Sequence, residues 1–333
     1  MKHNYLVSKS VILVVMFSII GFSSCKSNEE KKEKMAEQEE SVQKEAPFFK
    51  LSLAQWSIHK AIKNGNISPL DFAQKAKEYG FDAVEYVSQL YTNELKKDSN
   101  PIIAMQNLLD TLKMKSEKYG VKNINIMIDN EGNLAAADET ERNLAVEHHK
   151  KWIDAGVFLG CYTVRVNLKG SDDVDIWSKK SIMSLKQLAE YAKPKNINVI
   201  VENHGGFSSN GLLLTNVIKN VNMDNCGTLP DFGNFCQTKD YGSINDVNCT
   251  KAYDIYKGVQ EMIPFAKAVS AKSYDFDKDG NQPKINYVKM LQIVKDASYT
   301  GYIGVEYEGN NLSEKEGIMA TKNLLFKASQ QLN

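Results

Sequence analysis

Val201-Glu202-Asn203-His204-Gly205-Gly206, Leu229-Pro230-Asp231-Phe232-Gly233-Asn234 and Tyr302-Ile303-Gly304-Val305-Glu306-Tyr307-Glu308-Gly309 are three stretches built alike. Each opens on apolar residues and closes on a carboxylate followed by glycine or a polar turn. Strands buried on both faces read as continuous apolar runs. An acid at the end of such a run is delivered to the rim of a parallel sheet. Three acids delivered by three strand ends can converge on one divalent ion.

Working outward, strand patterns recur at Leu51–Trp56, Ala83–Tyr86, Ile124–Ile128, Thr163–Val166, Asn198–Glu202, Gly227–Asp231, Ala268–Lys272 and Ile303–Glu306. Helical patterns separate them: Pro69–Tyr79, Ile102–Tyr119, Glu139–Phe158, Ile176–Ala192, Leu212–Val221, Lys251–Ile263, Ile285–Ala297 and Ser313–Gln330. Ser68 before Pro69 is an N-cap with proline at the first helical position, and Gly80 and Gly120 are helix-ending glycines. Strict alternation implies parallel strands joined by right-handed crossovers. Eight units in one domain favour a closed (β/α)8 barrel over an open sheet. No G-x-G-x-x-G follows the first strand, which weakens a dinucleotide fold.

In such a barrel the chemistry sits at the strand C-termini. There the sequence places Trp56 and His59 after strand one, Glu85 on strand two, Asp129-Asn130 after strand three, and Arg165 and Asn167 on strand four. Glu202 and His204 follow on strand five, Asp231 and Asn234 on strand six, Ser270 and Lys272 on strand seven, and Glu306 and Glu308 on strand eight. Glu202, Asp231 and Glu306 are read as functional carboxylates. His59, Trp56, Arg165, Lys272 and Asn234 are read as substrate-binding residues. Glu308 is read as bracing its loop, and His148-His149 as a solvated helix face. Asp275-Phe276-Asp277-Lys278-Asp279-Gly280 matches the first half of a calcium loop, but the twelfth position is Asn286, so it reads as a polar connection.

At these residues the chain resembles the xylose-isomerase-like TIM barrels, which include sugar isomerases and epimerases, inosose dehydratase and metal-dependent endonucleases. Glu202, Asp231 and the Gly-Tyr-Ile-Gly-Val-Glu run carry the resemblance. It implies Glu, Asp, His and Glu around one divalent ion. Glu202, Asp231 and Glu306 match directly. The family's strand seven reads His-x-Lys, whereas this chain has Ser270-Ala271-Lys272. His204 is the candidate replacement ligand, and water held by Ser270 the second. Three carboxylates and at most one imidazole suit Mn²⁺ or Mg²⁺, with Zn²⁺ or Co²⁺ open if His204 binds. The reaction implied is proton abstraction beside a carbonyl, with Glu202 or Glu306 as base. That is isomerase or epimerase chemistry on an unphosphorylated sugar or keto-sugar. A lyase or dehydratase of keto-glycosides is the alternative on the same site, and a carbohydrate-binding lipoprotein without catalysis is the alternative from another class.

The N-terminus reads separately. Lys2, His3 and Lys9 precede the apolar run from Val11 to Ile20 and the small residues before Cys25. This reads as an export signal over 1–25 that resembles a bacterial lipobox, with Cys25 lipidated; a plain signal peptide or a signal anchor is the alternative. Residues 26–46 are a charged tether too poor in apolar surface to fold alone, and 47–333 form the barrel. The expected place is the periplasmic face or the cell surface, and the one membrane attachment is the lipid. With 41 basic and 41 acidic residues, nothing favours nucleic acid; the expected partner is a small carbohydrate. An oligomer, and the pairing of Cys161, Cys226, Cys236 and Cys249, stay open. A phosphodiesterase would need a larger His and acid cluster and a basic face.

Overall fold

Alternation of apolar strands with capped helices gives the expected parallel architecture in the structure, a computed structural model describing residues 46–238 and 241–332. The signal sequence, Cys25 and the tether as far as residue 45 lie outside the described residues. The strands are β1 (Lys50–Ala54), β2 (Ala83–Val87), β3 (Lys122–Met127), β4 (Thr163–Val166), β5 (Asn198–Glu202), β6 (Cys226–Leu229), β7 (Val269–Ser273) and β8 (Tyr302–Tyr307). They are hydrogen-bonded in the order β6-β5-β4-β3-β2-β1-β8-β7, every named pair parallel. The seam between β6 and β7 is spanned by single parallel bridges, Thr228 with Ala266 and Asp231 with Ser270. Ser270 N donates to Pro230 O at 2.9 Å and Phe232 N to Ser270 O at 3.0 Å. This is a (β/α)8 barrel whose last seam is irregular.

Local chemistry sets the helix limits. Asn100 accepts from the amides of Ile102 and Ile103, opening the helix Pro101–Tyr119, which Gly120 ends in the left-handed region at φ 62°. Ser313 and Glu316 form a reciprocal capping box at the start of Glu314–Ser329. Most helix limits fall within about two residues of the sequence reading, and two helix starts depart further. Pro69 opens a 3₁₀ turn, and the α-helix begins only at Phe72. The helix expected from Lys251 starts at Ile255, because Asp254 caps it by accepting from Lys257 N. The stretch before it is a loop pinned by the Cys236–Cys249 disulfide, while Cys161 and Cys226 are buried free thiols.

The main core lies between the outer strand faces and the helices, where Val84, Ile126, Val164, Val199, Val269 and Ile303 are fully buried. The barrel interior is partly polar instead. Ser52 Oγ donates to Glu85 Oε1 at 2.6 Å and Asn125 Nδ2 to Glu85 Oε2 at 2.9 Å. Gly304 makes room for that carboxylate; a Cβ there would strike Glu85 Oε1. Above this layer the register decides the site. Lys272 pairs with Glu306 across β7–β8, and Asp231 bridges to Ser270 across the seam.

Candidate active site

The C-terminal rim opens into a cavity of about 590 Å³. Arg165, Asn234, His204, Lys272 and Glu306 line it, with Asp129, Asn167 and Glu308 beside them. Each arrives by the route expected, from strand ends or the turn just beyond.

β7 holds the centre. Inward alternation puts Ser270 and Lys272 on one face. Ser270 Oγ lies 2.6 Å from Asp231 Oδ2 and 3.2 Å from Glu306 Oε2, with one proton to donate between them. Lys272 Nζ donates to Glu306 Oε1 at 2.7 Å and Glu308 Oε1 at 3.2 Å, and stands 4.0 Å from Asp231 Oδ2. Burial works against the ammonium, but Glu306 and Glu308 outweigh it and raise the Lys272 pKa.

β4 holds the second cation. Arg165 Nη1 donates to Asp129 Oδ1 at 2.7 Å, and Asn167 Nδ2 donates to the same oxygen at 2.8 Å. Arg165 Nε is 2.8 Å from Glu202 Oε2. That contact lacks hydrogen-bond alignment, so both atoms are buried without a hydrogen-bond partner. Asn234 Nδ2 donates to Glu202 Oε1 at 2.9 Å. Asp231 Oδ1 accepts from the amides of Gly233 and Asn234, both at 2.8 Å, which fixes the turn after β6. Asn203 laces the β5 and β6 ends together, accepting from Asp231 N and donating to Asp231 O and Asn234 O.

Five carboxylates (Asp129, Glu202, Asp231, Glu306, Glu308) thus surround two paired cations. Burial of so many acids together favours their protonated forms. Burial pushes the Asp231 carboxyl up against the pull of Lys272, to about 8. Burial likewise lifts Glu202 against Arg165, to about 7. For Asp129 burial also works upward, but Arg165 wins and holds it below the usual range. Burial and Arg165 lower His204 to about 4, so its imidazole is neutral at pH 7.

The expected ion shared by Glu202, Asp231, Glu306 and His204 is not what these side chains build. Among the described residues no three His, Cys, Asp or Glu side chains are gathered to hold a metal ion. The physical reason is occupancy. Glu202 is engaged by Arg165 and Asn234, Asp231 by Ser270 and two amides, and Glu306 by Lys272 and Ser270. Glu202 and Asp231 also lie beneath the cavity lining, whereas Glu306 and His204 reach it. The donor set therefore does not fit a divalent centre as it stands.

Other expectations are corrected as well. His59 does not line the cavity; its ring stacks on Trp56 at 4.2 Å and its Nδ1 contacts Trp56 O at 2.6 Å. Trp56 does line it, but from a 3₁₀ turn (Gln55–Ile58), with Lys63 Nζ 4.4 Å from its ring centroid. His149 is buried, not solvated, and lines the cavity, with Nδ1 2.7 Å from Ala145 O. Glu308 serves the site through Lys272 rather than merely bracing a loop. In the calcium-like stretch, Asp277 accepts from the amides of Asp279 and Asn281, and Asp275 from those of Asn310 and Asn311. It is a polar connection. Asp129 is placed at a strand end by the sequence but is given no role there; the structure makes it the partner of Arg165 and Asn167. The loop residues Tyr241, Ser243 and Asp246 also line the cavity, and nothing in their local sequence marks them.

Several solved structures share this fold at low sequence identity. A D-tagatose 3-epimerase-like protein superposes with TM-score 0.62 at 18% identity, covering 86% of this chain and 100% of its own. The 3-keto-D-glucoside 4-epimerase of E. coli gives 0.60 at 13%, covering 83% and 98%. A xylose isomerase-like barrel protein from Mycobacterium smegmatis, solved in complex with magnesium, gives 0.60 at 14%, covering 85% and 97%. No curated protein matches the chain by sequence. The family model of the xylose isomerase-like TIM barrels matches residues 73–327, most of the barrel from its first crossover helix to its last. The chain therefore belongs to the xylose isomerase-like TIM-barrel family.

Proposed function

We propose that this barrel binds an unphosphorylated sugar or keto-sugar and moves a proton on the carbon next to its carbonyl, as an isomerase or epimerase. The observation that carries the reading is the Glu306–Lys272 pair, 2.7 Å apart and both lining the cavity. A carboxylate at the cavity surface can take a proton from carbon, a step that contributes about 10²–10⁴-fold. Of the two glutamates expected to act, Glu306 fits the role and Glu202 acts from beneath by positioning Arg165 and Asn234. The unpartnered, buried Asn167 Oδ1 at the cavity wall offers an acceptor for a sugar hydroxyl. The epimerases among the similar structures support this class of chemistry. Elimination from a keto-glycoside needs the same first step and is the lyase form of the reading.

A carbohydrate-binding role without catalysis is the second reading. It is favoured by the position of Glu202 and Asp231 below the lining. Solvent-deuterium exchange separates the two. Ketohexoses and 3-keto-glycosides are incubated with the protein in D₂O and followed by NMR. Catalysis predicts label at a carbon beside the carbonyl, lost in Glu306→Gln. Binding shifts without label in any sugar would establish the second reading.

For the compartment we propose export and lipid anchoring through Cys25. The Cys236–Cys249 disulfide supports an oxidising location. Loss of membrane fractionation in Cys25→Ala is the expected result; unchanged fractionation refutes it.

A further inference from the structure

Where a divalent ion would need the acids to face one another, this chain has put its own groups. We infer that the site works on a built-in cation, the Lys272 ammonium, in place of a bound divalent ion. The inference rests on the catalytic reading for its chemistry, but its metal prediction stands without it.

Three observations carry it. First, the Ser270 hydroxyl sits within hydrogen-bond reach of both Asp231 and Glu306. It takes the strand position where the family resemblance expects an imidazole, and it turns the two carboxylates onto itself. Second, Lys272, the position this chain keeps from the family's His-x-Lys pattern, has its Nζ within 4.0 Å of Asp231, Glu306 and Glu308 together, so with the imidazole replaced by Ser270 it is the cation these acids face. Third, Glu202 accepts from Asn234 at Oε1 and stands 2.8 Å from Arg165 Nε at Oε2 as an ion pair without hydrogen-bond alignment, so each of the three acids already has a charged or hydrogen-bonding protein neighbour.

Lys272 is also equipped to act. An ammonium has three N–H donors. Glu306 and Glu308 take two, and the third is free for a substrate oxygen in the cavity that Lys272 lines. When Glu306 removes the proton, the C–H electron pair becomes the new C=C bond and the carbonyl π pair moves onto oxygen. That oxygen accepts the hydrogen bond of Lys272, which stays an ammonium. Return of the proton from Glu306 to the same carbon restores substrate and both groups, which is the exchange read below, and atoms and charge balance without a co-reactant. Isomerisation differs only in that the proton returns to the neighbouring carbon while a hydroxyl proton passes to the former carbonyl oxygen. A preorganised charged donor aimed at a developing oxyanion stabilises it.

The test uses the full chain purified in metal-free buffer, with MnCl₂ and then ZnCl₂ added in calorimetry, and metal content read by mass spectrometry. The wild type is expected to take up no stoichiometric ion at this site, and deuterium exchange is expected to persist in excess EDTA. The double variant Ser270→His, Lys272→Met restores the imidazole and removes the ammonium; it is expected to gain one equivalent of Mn²⁺. Lys272→Ala is expected to lose exchange and to regain part of it with added methylammonium. One equivalent of ion in the wild type, lost in Asp231→Asn, overturns the inference. So does exchange that stops in EDTA and returns with metal. If no sugar exchanges at all, the catalytic reading fails, and the uptake measurements still decide the metal question.

Discussion

Replacing Lys272 by methionine removes the cation that the centre of the barrel mouth is built on. The side chain is almost fully buried, 2.7 Å from Glu306 Oε1 and 3.2 Å from Glu308 Oε1. Methionine keeps the length of the stem and its packing, so the loss is chiefly charge. Breaking a buried pair by removing one partner costs about 3–5 kcal/mol. For a domain of this size each kcal/mol moves Tm by about 2 °C or slightly more, so the expected fall is about 6–12 °C. The loss depends on pH. Lys272 is the main group pulling the Asp231 carboxyl down, and even so that carboxyl is pushed up to about 8. Without the ammonium it titrates higher still. A carboxyl whose folded pKa is raised contributes stability that is present below its unfolded pKa and is lost as pH rises through the folded value. The variant should therefore be most destabilised near pH 8 to 9 and recover part of the difference near pH 5, on the order of one to two kcal/mol. Thermal unfolding followed by circular dichroism at both pH values reads this directly. An unchanged Tm at pH 8, or an equal loss at both, would refute the placement of Lys272 as the buried counter-charge.

Three further outcomes are expected. Asp231→Asn keeps an oxygen for the amides of Gly233 and Asn234 while removing a carboxyl raised to about 8; relative to wild type its Tm should rise as pH increases from about 4 towards 8, and a pH-independent difference would contradict the shift. Cys236→Ser with Cys249→Ser opens a cross-link of sequence separation 13, and denaturant titration should show a loss of about 3 kcal/mol; no change would mean the loop is held by its other contacts. Gly304→Ala drives a methyl into Glu85, which Ser52 and Asn125 already fix, so chemical unfolding should register a cost of about 1–3 kcal/mol. A neutral result there would show that the inner polar layer relaxes.

Much of the barrel is legible in the chain because its signals are local. Apolar runs such as Val199-Ile200-Val201, short and β-branched, read as strands buried on both faces, and caps such as Asn100, Asp138 and Ser313 fix where helices begin. β4 and β5 follow their sequence patterns residue for residue. Where local signals are weak the edges shift, as at Pro69 and before Ile255. Alternation alone also brings Glu202, Asp231, Glu306 and Lys272 to the same end of the barrel, because every strand C-terminus points there.

What alternation does not contain is who partners whom across strands. That Asp231 lies beside Ser270 is decided by the irregular seam between β6 and β7. The β7–β8 register does the same for Lys272 and Glu306. The burial of Glu202 under Arg165 and Asn234 needs three strand ends at once. The sequence by itself determined the fold and the end of the barrel where the chemistry lies, since both follow from periodicity and chain direction. Only the tertiary structure decided how the charges pair, because that depends on distances of a few ångströms between residues far apart in the chain.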